Sequence, residues 1–151
     1  MILLILLGSV YLFLSLVARY VKQIRISKVD KGCIALSAMF LFTGTFHFLI
    51  GEKLISLIPE FIPLRLEIVY VSGIMELIFA GEFLFPKTRT LTGKISIMFL
   101  ILVFPGNVYG AIQHVELGGH VYGPVYLLFR LPLQVFLIYW IVYFSLRRTF
   151  K

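Results

Sequence analysis

The stretch Val125-Tyr-Leu-Leu-Phe-Arg130-Leu-Pro132-Leu-Gln134, which continues through apolar residues to Leu146, decides the fold class of this chain. An apolar run of about 20 residues is long enough to cross a lipid bilayer as a helix. Arg130, Pro132 and Gln134 interrupt this run, and a charged side chain at membrane depth is costly. The sequence therefore predicts a membrane helix whose arginine has a polar partner elsewhere in the chain.

The composition also indicates an integral membrane protein. Of the 151 residues, 60% are hydrophobic and 14% are charged, whereas a soluble domain has about 25% charged residues. The net charge of +7 does not point to nucleic acid, because the basic residues lie in short runs between apolar segments, as topology signals do. The single cysteine, Cys33, excludes an intramolecular disulfide and a cysteine-based metal site.

We predict an all-α, polytopic membrane bundle in which the whole chain forms one domain. The predicted spans are approximately 1–20, 33–51, 66–85, 95–113 and 125–146. The first segment lacks a basic leader region, which favours an uncleaved helix over a cleaved signal peptide. With a cleaved or interfacial first segment, four spans would remain in the same orientation.

The basic residues predict the orientation of these spans. Of the 14 lysines and arginines, five lie from the end of the first span (Arg19) to the start of the second, three between the third and fourth, and three after the fifth. Because cytoplasmic loops are enriched in basic residues, we expect the N-terminus outside and the C-terminus inside.

Polar residues within the predicted spans form the candidate site. They are His47, Ser72, Glu76, Asn107, Arg130 and Gln134. The predicted topology places them in the outer half of the bilayer, where we expect their helix faces to converge. Glu76 is the expected counter-ion of Arg130. The small residues Gly44, Gly73, Ala80 and Gly81 are expected to let the helices approach.

The role of this cluster stays open at the level of sequence. An Arg130–Glu76 pair is equally compatible with a structural clamp and with a ligand or proton site. His47 is more typical of a hydrogen-bonded core histidine than of a metal or haem ligand. A b-type haem held by His47 and His114 is the weaker interpretation, because His114 lies at a helix end. We expect no metal site, and no motif of a soluble hydrolase or nucleotide-binding enzyme occurs.

Short elements spread over most of the chain resemble the DoxX-like family of small bacterial membrane proteins. They are Phe42–Phe48, Ile58-Pro59 with Ile62-Pro63, Tyr70–Glu76, Phe104–Asn107 and Arg130–Gln134. The pattern covers about 39–140, with Gly106 where that family usually has alanine. The resemblance implies a four-helix core, to which 1–20 adds an extra N-terminal transmembrane helix. It matches His47, Glu76, Asn107, Arg130 and Gln134 to the polar positions of the family.

The resemblance implies a multi-pass protein of the bacterial cytoplasmic (inner) membrane. It is similar to a small membrane subunit of quinone-linked sulfur oxidation, so we expect a binding or accessory subunit of a quinone-dependent redox system rather than an enzyme on its own. The expected ligand is a small lipophilic molecule such as a quinone, and the expected partners are redox-complex subunits or further copies of the chain. The alternatives are a proton-coupled transporter of a small solute and a non-catalytic assembly factor.

Overall fold

The structure is a computed structural model that describes residues 2–20 and 26–146. All regular structure in these ranges is helical. The α-helices are α1 (Ile2–Tyr20), α2 (Lys28–Leu49), α3 (Gly51–Leu54), α4 (Arg65–Glu82), α5 (Arg89–Ile112) and α6 (Leu127–Ile141). Two 3-10 segments, Ile55–Leu57 and Gly118–Tyr126, follow α3 and precede α6, and a π-helical turn, Val142–Leu146, extends α6.

Four helical segments are long and apolar enough to cross a membrane: α1, α2, α5 and the continuous segment Gly118–Leu146. This set fits a multi-pass membrane protein. The fourth helix, α4, stands apart because its 18 residues include four charged side chains, Arg65, Glu67, Glu76 and Glu82. The all-helical prediction is confirmed for the described residues, and several of the helices are long and apolar enough to cross a membrane, as predicted.

The helix ends differ from the predicted ones for identifiable reasons. Helix α2 begins before the predicted Cys33, because Ser27 and Asp30 form a capping box that satisfies the first backbone N–H groups. Helix α6 begins at Leu127, two residues after the predicted start of the last span. Pro124 lies in the preceding 3-10 segment, because Gly123 takes φ 64° and ψ −147°, which interrupts helical geometry just before it.

Helix α2 makes the most extensive helix–helix contacts of the described structure, with α4 and with α1. Two contacts show that α2 and α4 are antiparallel: Ser37 contacts Ala80, and Gly44, later in α2, contacts Gly73, earlier in α4. Helix α1 packs against α2, and the ring of its Tyr11 meets the Trp140 ring of α6 at 5.6 Å. The extra N-terminal helix therefore has a defined position beside α2 and the end of α6.

The bundle has two ends, which we call lower and upper. At the lower end α2 and α5 begin and α4 and α6 finish, and at the upper end the directions reverse. Between them lies an apolar core in which the rings of Phe40, Phe79, Phe83 and Phe99 pack at centroid distances of 5.5–5.8 Å. Polar side chains are buried on both sides of this core, so the fold positions one polar centre towards each end.

Candidate functional site

A close crossing of α2 and α4 builds the first part of the site. A Cβ added at Gly44 would lie 3.0 Å from the Gly73 carbonyl oxygen, and one added at Gly73 would lie 2.6 Å from His47 Cβ. Glycine at both positions lets the two backbones touch, as small residues do in membrane helix pairs. The predicted role of Gly81 differs, because a Cβ there would meet nothing within 4 Å.

This crossing brings His47 and Glu76 together. Side chains lean towards the N-terminus of their own helix, so in an antiparallel pair His47 and Glu76 lean towards one another from opposite directions. The His47 Nδ1 atom lies 3.5 Å from Glu76 Oε2 and 2.9 Å from the Thr43 carbonyl oxygen. Because a carbonyl only accepts, Nδ1 carries the proton and Nε2 keeps the lone pair of the neutral ring. The Glu76 side chain is 10% exposed.

Arg130 lies near this pair without bonding to it. Within the described residues, no carboxylate oxygen lies within 4.0 Å of the Arg130 guanidinium, so the expected direct ion pair with Glu76 is not formed. Arg130 is nevertheless close enough to act electrostatically on both Glu76 and His120. Its Nε atom is buried and has no hydrogen-bond partner among the residues described.

His120 is the residue that the sequence analysis missed. The 3-10 segment before α6 folds it into the upper end of the bundle, where it is 6% exposed. Its ring packs 4.7 Å from the Tyr126 ring, and its Nε2 atom would lie 3.5 Å from a Cβ added at Gly110. Nδ1 lies 2.8 Å from the Leu117 carbonyl oxygen, so Nδ1 donates and Nε2 presents a lone pair. In the sequence, Gly118 and Gly119 before His120 and Gly123 after it were the available indication that the backbone packs closely here.

Gln134 holds α6 against α5. It is 7% exposed, and its Nε2 donates to the Leu100 carbonyl oxygen at 2.7 Å. A proline frees the carbonyl four residues before it, and for Pro105 that residue is Ile101. The carbonyl that Gln134 binds belongs to Leu100, one residue before Ile101. Gln134 of α6 therefore binds the backbone of α5 close to the turn that Pro105 interrupts.

Ser72 and Asn107 bond within their own helices. The Ser72 hydroxyl donates to the Val69 carbonyl oxygen at 2.7 Å, and the Asn107 amide donates to the Val103 carbonyl oxygen at 3.3 Å. Neither of these two bonds links one helix to another. His114 is exposed on the loop after α5, with Nδ1 3.3 Å from the Val121 carbonyl oxygen.

We define the upper polar cluster as His47, Glu76, Arg130 and His120. Three of its atoms are buried without a hydrogen-bond partner in the described part of the chain: Glu76 Oε2, His120 Nε2 and Arg130 Nε. They come from α4, from the 3-10 segment and from α6. Buried polar atoms in native proteins are nearly all hydrogen-bonded, so three unbonded atoms in one cluster distinguish it from the rest of the described structure.

A second polar centre lies at the lower end and is fully bonded. Arg89 is 7% exposed and donates through Nη1 to Asp30 Oδ1 at 2.6 Å, through Nε to the Phe83 carbonyl oxygen at 2.9 Å and through Nη2 to the Leu84 carbonyl oxygen at 3.3 Å. The Ser145 hydroxyl donates to the Arg89 carbonyl oxygen. This centre ties together α2, α4, α5 and the π-helical turn. In the sequence, Arg89 is one of the three basic residues between the third and fourth predicted spans, where it indicates topology and not burial.

An apolar groove of about 590 Å³ runs along α6, lined by Leu131, Pro132, Val135, Phe136 and Tyr139. At 100° per residue, these positions lie on the face of α6 opposite to Arg130 and Gln134. The groove is therefore separate from the upper polar cluster, and it opens on the exposed side of the helix.

A family model described as "Domain of unknown function (DUF8561)" matches residues 36–145. The chain belongs to this family. The DUF8561 segment leaves out α1 and begins within α2, so it covers all four residues of the upper polar cluster and Arg89 of the lower centre, but not Asp30. No curated protein and no solved structure matches the chain. Within the described residues, no group of three or more histidine, cysteine, aspartate or glutamate side chains is arranged to hold a metal ion.

Proposed function

We propose that this DUF8561 protein is a membrane-embedded binding subunit whose upper polar cluster holds the head group of a small lipophilic molecule. The observation that carries the proposal is the set of three buried, unbonded atoms at Glu76, His120 and Arg130. A bound head group that supplies hydrogen bonds to these atoms would remove the desolvation cost of leaving them unpaired. The lower centre, which is fully bonded within the chain, has no such requirement.

The roles of the residues follow from the atoms they present. Arg130 Nε is a donor, so it would bind a carbonyl or other acceptor oxygen of the head group. The lone pair of His120 Nε2 accepts. Glu76, whose Oε2 atom is one of the three unbonded atoms, is placed to exchange a proton with the head group. His47, whose Nδ1 lies 3.5 Å from Glu76 Oε2, would hold the carboxyl group in position. These groups suit a quinone-type ligand, and the DoxX-like resemblance supports the same class.

The proposed setting is the bacterial cytoplasmic membrane, with five spans, the N-terminus outside and the upper end towards the outer surface. Helix α4 would be the additional span. Its charges Arg65, Glu67 and Glu82 lie in its terminal turns, where they reach the membrane surfaces. Glu76 is the charge at membrane depth, and it faces α2 and His47 rather than lipid. Redox-complex subunits or a second copy of the chain are the proposed partners.

The test is purification in nanodiscs, followed by an absorption spectrum and mass spectrometry of the organic extract. We expect a stoichiometric lipophile in the wild-type protein. It should be lost in Arg130→Gln and in Glu76→Gln, because each removes a charged group that contacts or orients the head group. Glu67→Gln, which changes an exposed carboxylate on the same helix, is the matched control and should retain the lipophile.

Two results would contradict the proposal. One is wild-type protein that carries only bulk lipid, and the other is retention of the lipophile at wild-type stoichiometry in both Arg130→Gln and Glu76→Gln. Size exclusion and the fluorescence of the single tryptophan, Trp140, establish that each variant is folded. Trp140 is suitable because its Nε1 donates to the Gly32 carbonyl oxygen at 3.3 Å and therefore reports helix packing.

A further inference from the structure

His120 restricts the chemistry of the ligand more than any other residue of the upper polar cluster. Its Nδ1 proton is committed to the Leu117 carbonyl oxygen at 2.8 Å, so Nε2 can act only as a hydrogen-bond acceptor while the ring is neutral. The ring is 6% exposed, and Gly110 and Tyr126 fix its position from two sides. A group that satisfies Nε2 must therefore bring a hydrogen-bond donor into a buried position.

We infer that the ligand head group is a ring that carries both a hydroxyl, which donates to His120 Nε2, and an acceptor oxygen, which receives the Arg130 Nε hydrogen. This inference rests on the proposed function and names the ligand class, a quinol or related phenol, in preference to the fully oxidised quinone. A quinone has carbonyl acceptors only. It can satisfy Arg130 but leaves the lone pair of His120 Nε2 buried and unpaired, as in the unliganded cluster.

The expected selectivity corresponds to one buried hydrogen bond, which the reduced ring makes with His120 Nε2 and the oxidised ring does not. We therefore expect the wild-type protein to bind the reduced ring about 5- to 150-fold more tightly than the oxidised ring.

The experiment compares decylubiquinol with decylubiquinone, which share a ring and a tail and differ in their hydroxyl groups. Binding to the full chain in nanodiscs is measured under argon. His120→Phe keeps a ring of similar shape beside Gly110 and Tyr126 but removes the lone pair. His114→Phe changes the exposed histidine of the same loop and serves as the control. We expect His120→Phe to bind the two forms equally, and His114→Phe to retain the wild-type preference for the quinol.

The outcomes separate this inference from the proposed function. If the wild-type protein binds both forms with equal affinity, or if His120→Phe keeps the preference for the quinol, the inference is overturned and the binding function stands. If His120→Phe weakens both forms by the same factor, His120 shapes the site without reading the hydroxyl, and the inference is again overturned. If the wild-type protein binds neither form, the proposed quinone-type function fails together with the inference.

Discussion

Replacing Arg89 by alanine tests the structural assignment of the lower polar centre. The side chain is 8% exposed and donates to three oxygens: Asp30 Oδ1 at 2.6 Å, the Phe83 carbonyl at 2.9 Å and the Leu84 carbonyl at 3.3 Å. Both carbonyls lie at the end of α4, where helix carbonyls lack intrahelical donors. Arg89→Ala therefore leaves two carbonyls and one carboxylate without this donor.

The magnitude follows from the three bonds taken separately. Charge-assisted hydrogen bonds contribute about 1.5–3 kcal/mol each, and the 2.9 Å bond to Phe83 lies in this range by its geometry. The bond to Leu84 is longer and contributes less. The Asp30 side chain is 37% exposed, so water replaces much of its lost partner and that bond contributes at most about 1 kcal/mol. The sum is a loss of roughly 3 kcal/mol in the free energy of unfolding.

The assay is unfolding of the purified protein by increasing mole fractions of SDS, followed by Trp140 fluorescence. Trp140 is a good reporter because it bonds to Gly32, close to Asp30 on α2. A loss of about 3 kcal/mol corresponds to a roughly hundredfold shift of the unfolding equilibrium. Lys87→Ala, which removes an exposed basic residue from the same loop, should change the free energy by less than about 0.5 kcal/mol. Equal effects of the two variants would refute the assignment of Arg89 as an interhelical clamp.

Two other predictions concern the helix crossing and the topology. Gly73→Ala should destabilise the protein by about 1–3 kcal/mol in the same SDS assay, because its Cβ overlaps His47, whereas Gly81→Ala should be tolerated; equal stability of the two variants would contradict the close crossing. For the topology, a membrane-impermeant maleimide should label Phe61→Cys but not Lys87→Cys in intact cells, against a low background because Cys33 is fully buried. The reverse labelling pattern would overturn the proposed orientation.

The fold class was predictable because membrane burial leaves a strong signal in composition. Long apolar runs and few charges indicate spanning helices whatever the details of packing. The ends of the helices were less predictable, since they depend on specific local bonds. The capping box of Ser27 and Asp30 starts α2 earlier than its apolar run suggests, and the backbone of Gly123 delays α6 to Leu127.

The candidate site was predictable only in part, because sequence shows which polar groups are costly but not which partners they find. His47 and Glu76 meet, as polar residues on facing helices do. Gln134 instead bonds to backbone of α5, and Ser72 and Asn107 bond to their own helices. These carbonyl acceptors exist in every helix, so no sequence pattern distinguishes a side chain that uses one from a side chain that reaches across the bundle.

The two residues that the sequence analysis passed over, Arg89 and His120, were missed for opposite reasons. Arg89 belongs to a basic loop, and its burial depends on the distant Asp30, which the chain brings near only after α2, α4 and α5 have packed. His120 lies in a loop that looked like a connection between spans, and its burial depends on the absence of a side chain at Gly110. The burial of both residues depends on tertiary contacts, and such contacts produce no periodic pattern in the sequence.

The contrast between the two polar centres gives a physical criterion for separating structural from functional residues in this DUF8561 chain. Arg89 is buried among acceptors that the chain itself supplies, so removing it should reduce stability and leave ligand binding to the folded fraction unchanged. His120 is buried with an Nε2 atom that no described residue satisfies, which is an energetic cost that folding alone does not offset. His120→Phe should therefore preserve or raise the stability of the unliganded protein while it weakens quinol binding, so measuring stability and binding on the same variants distinguishes the two centres.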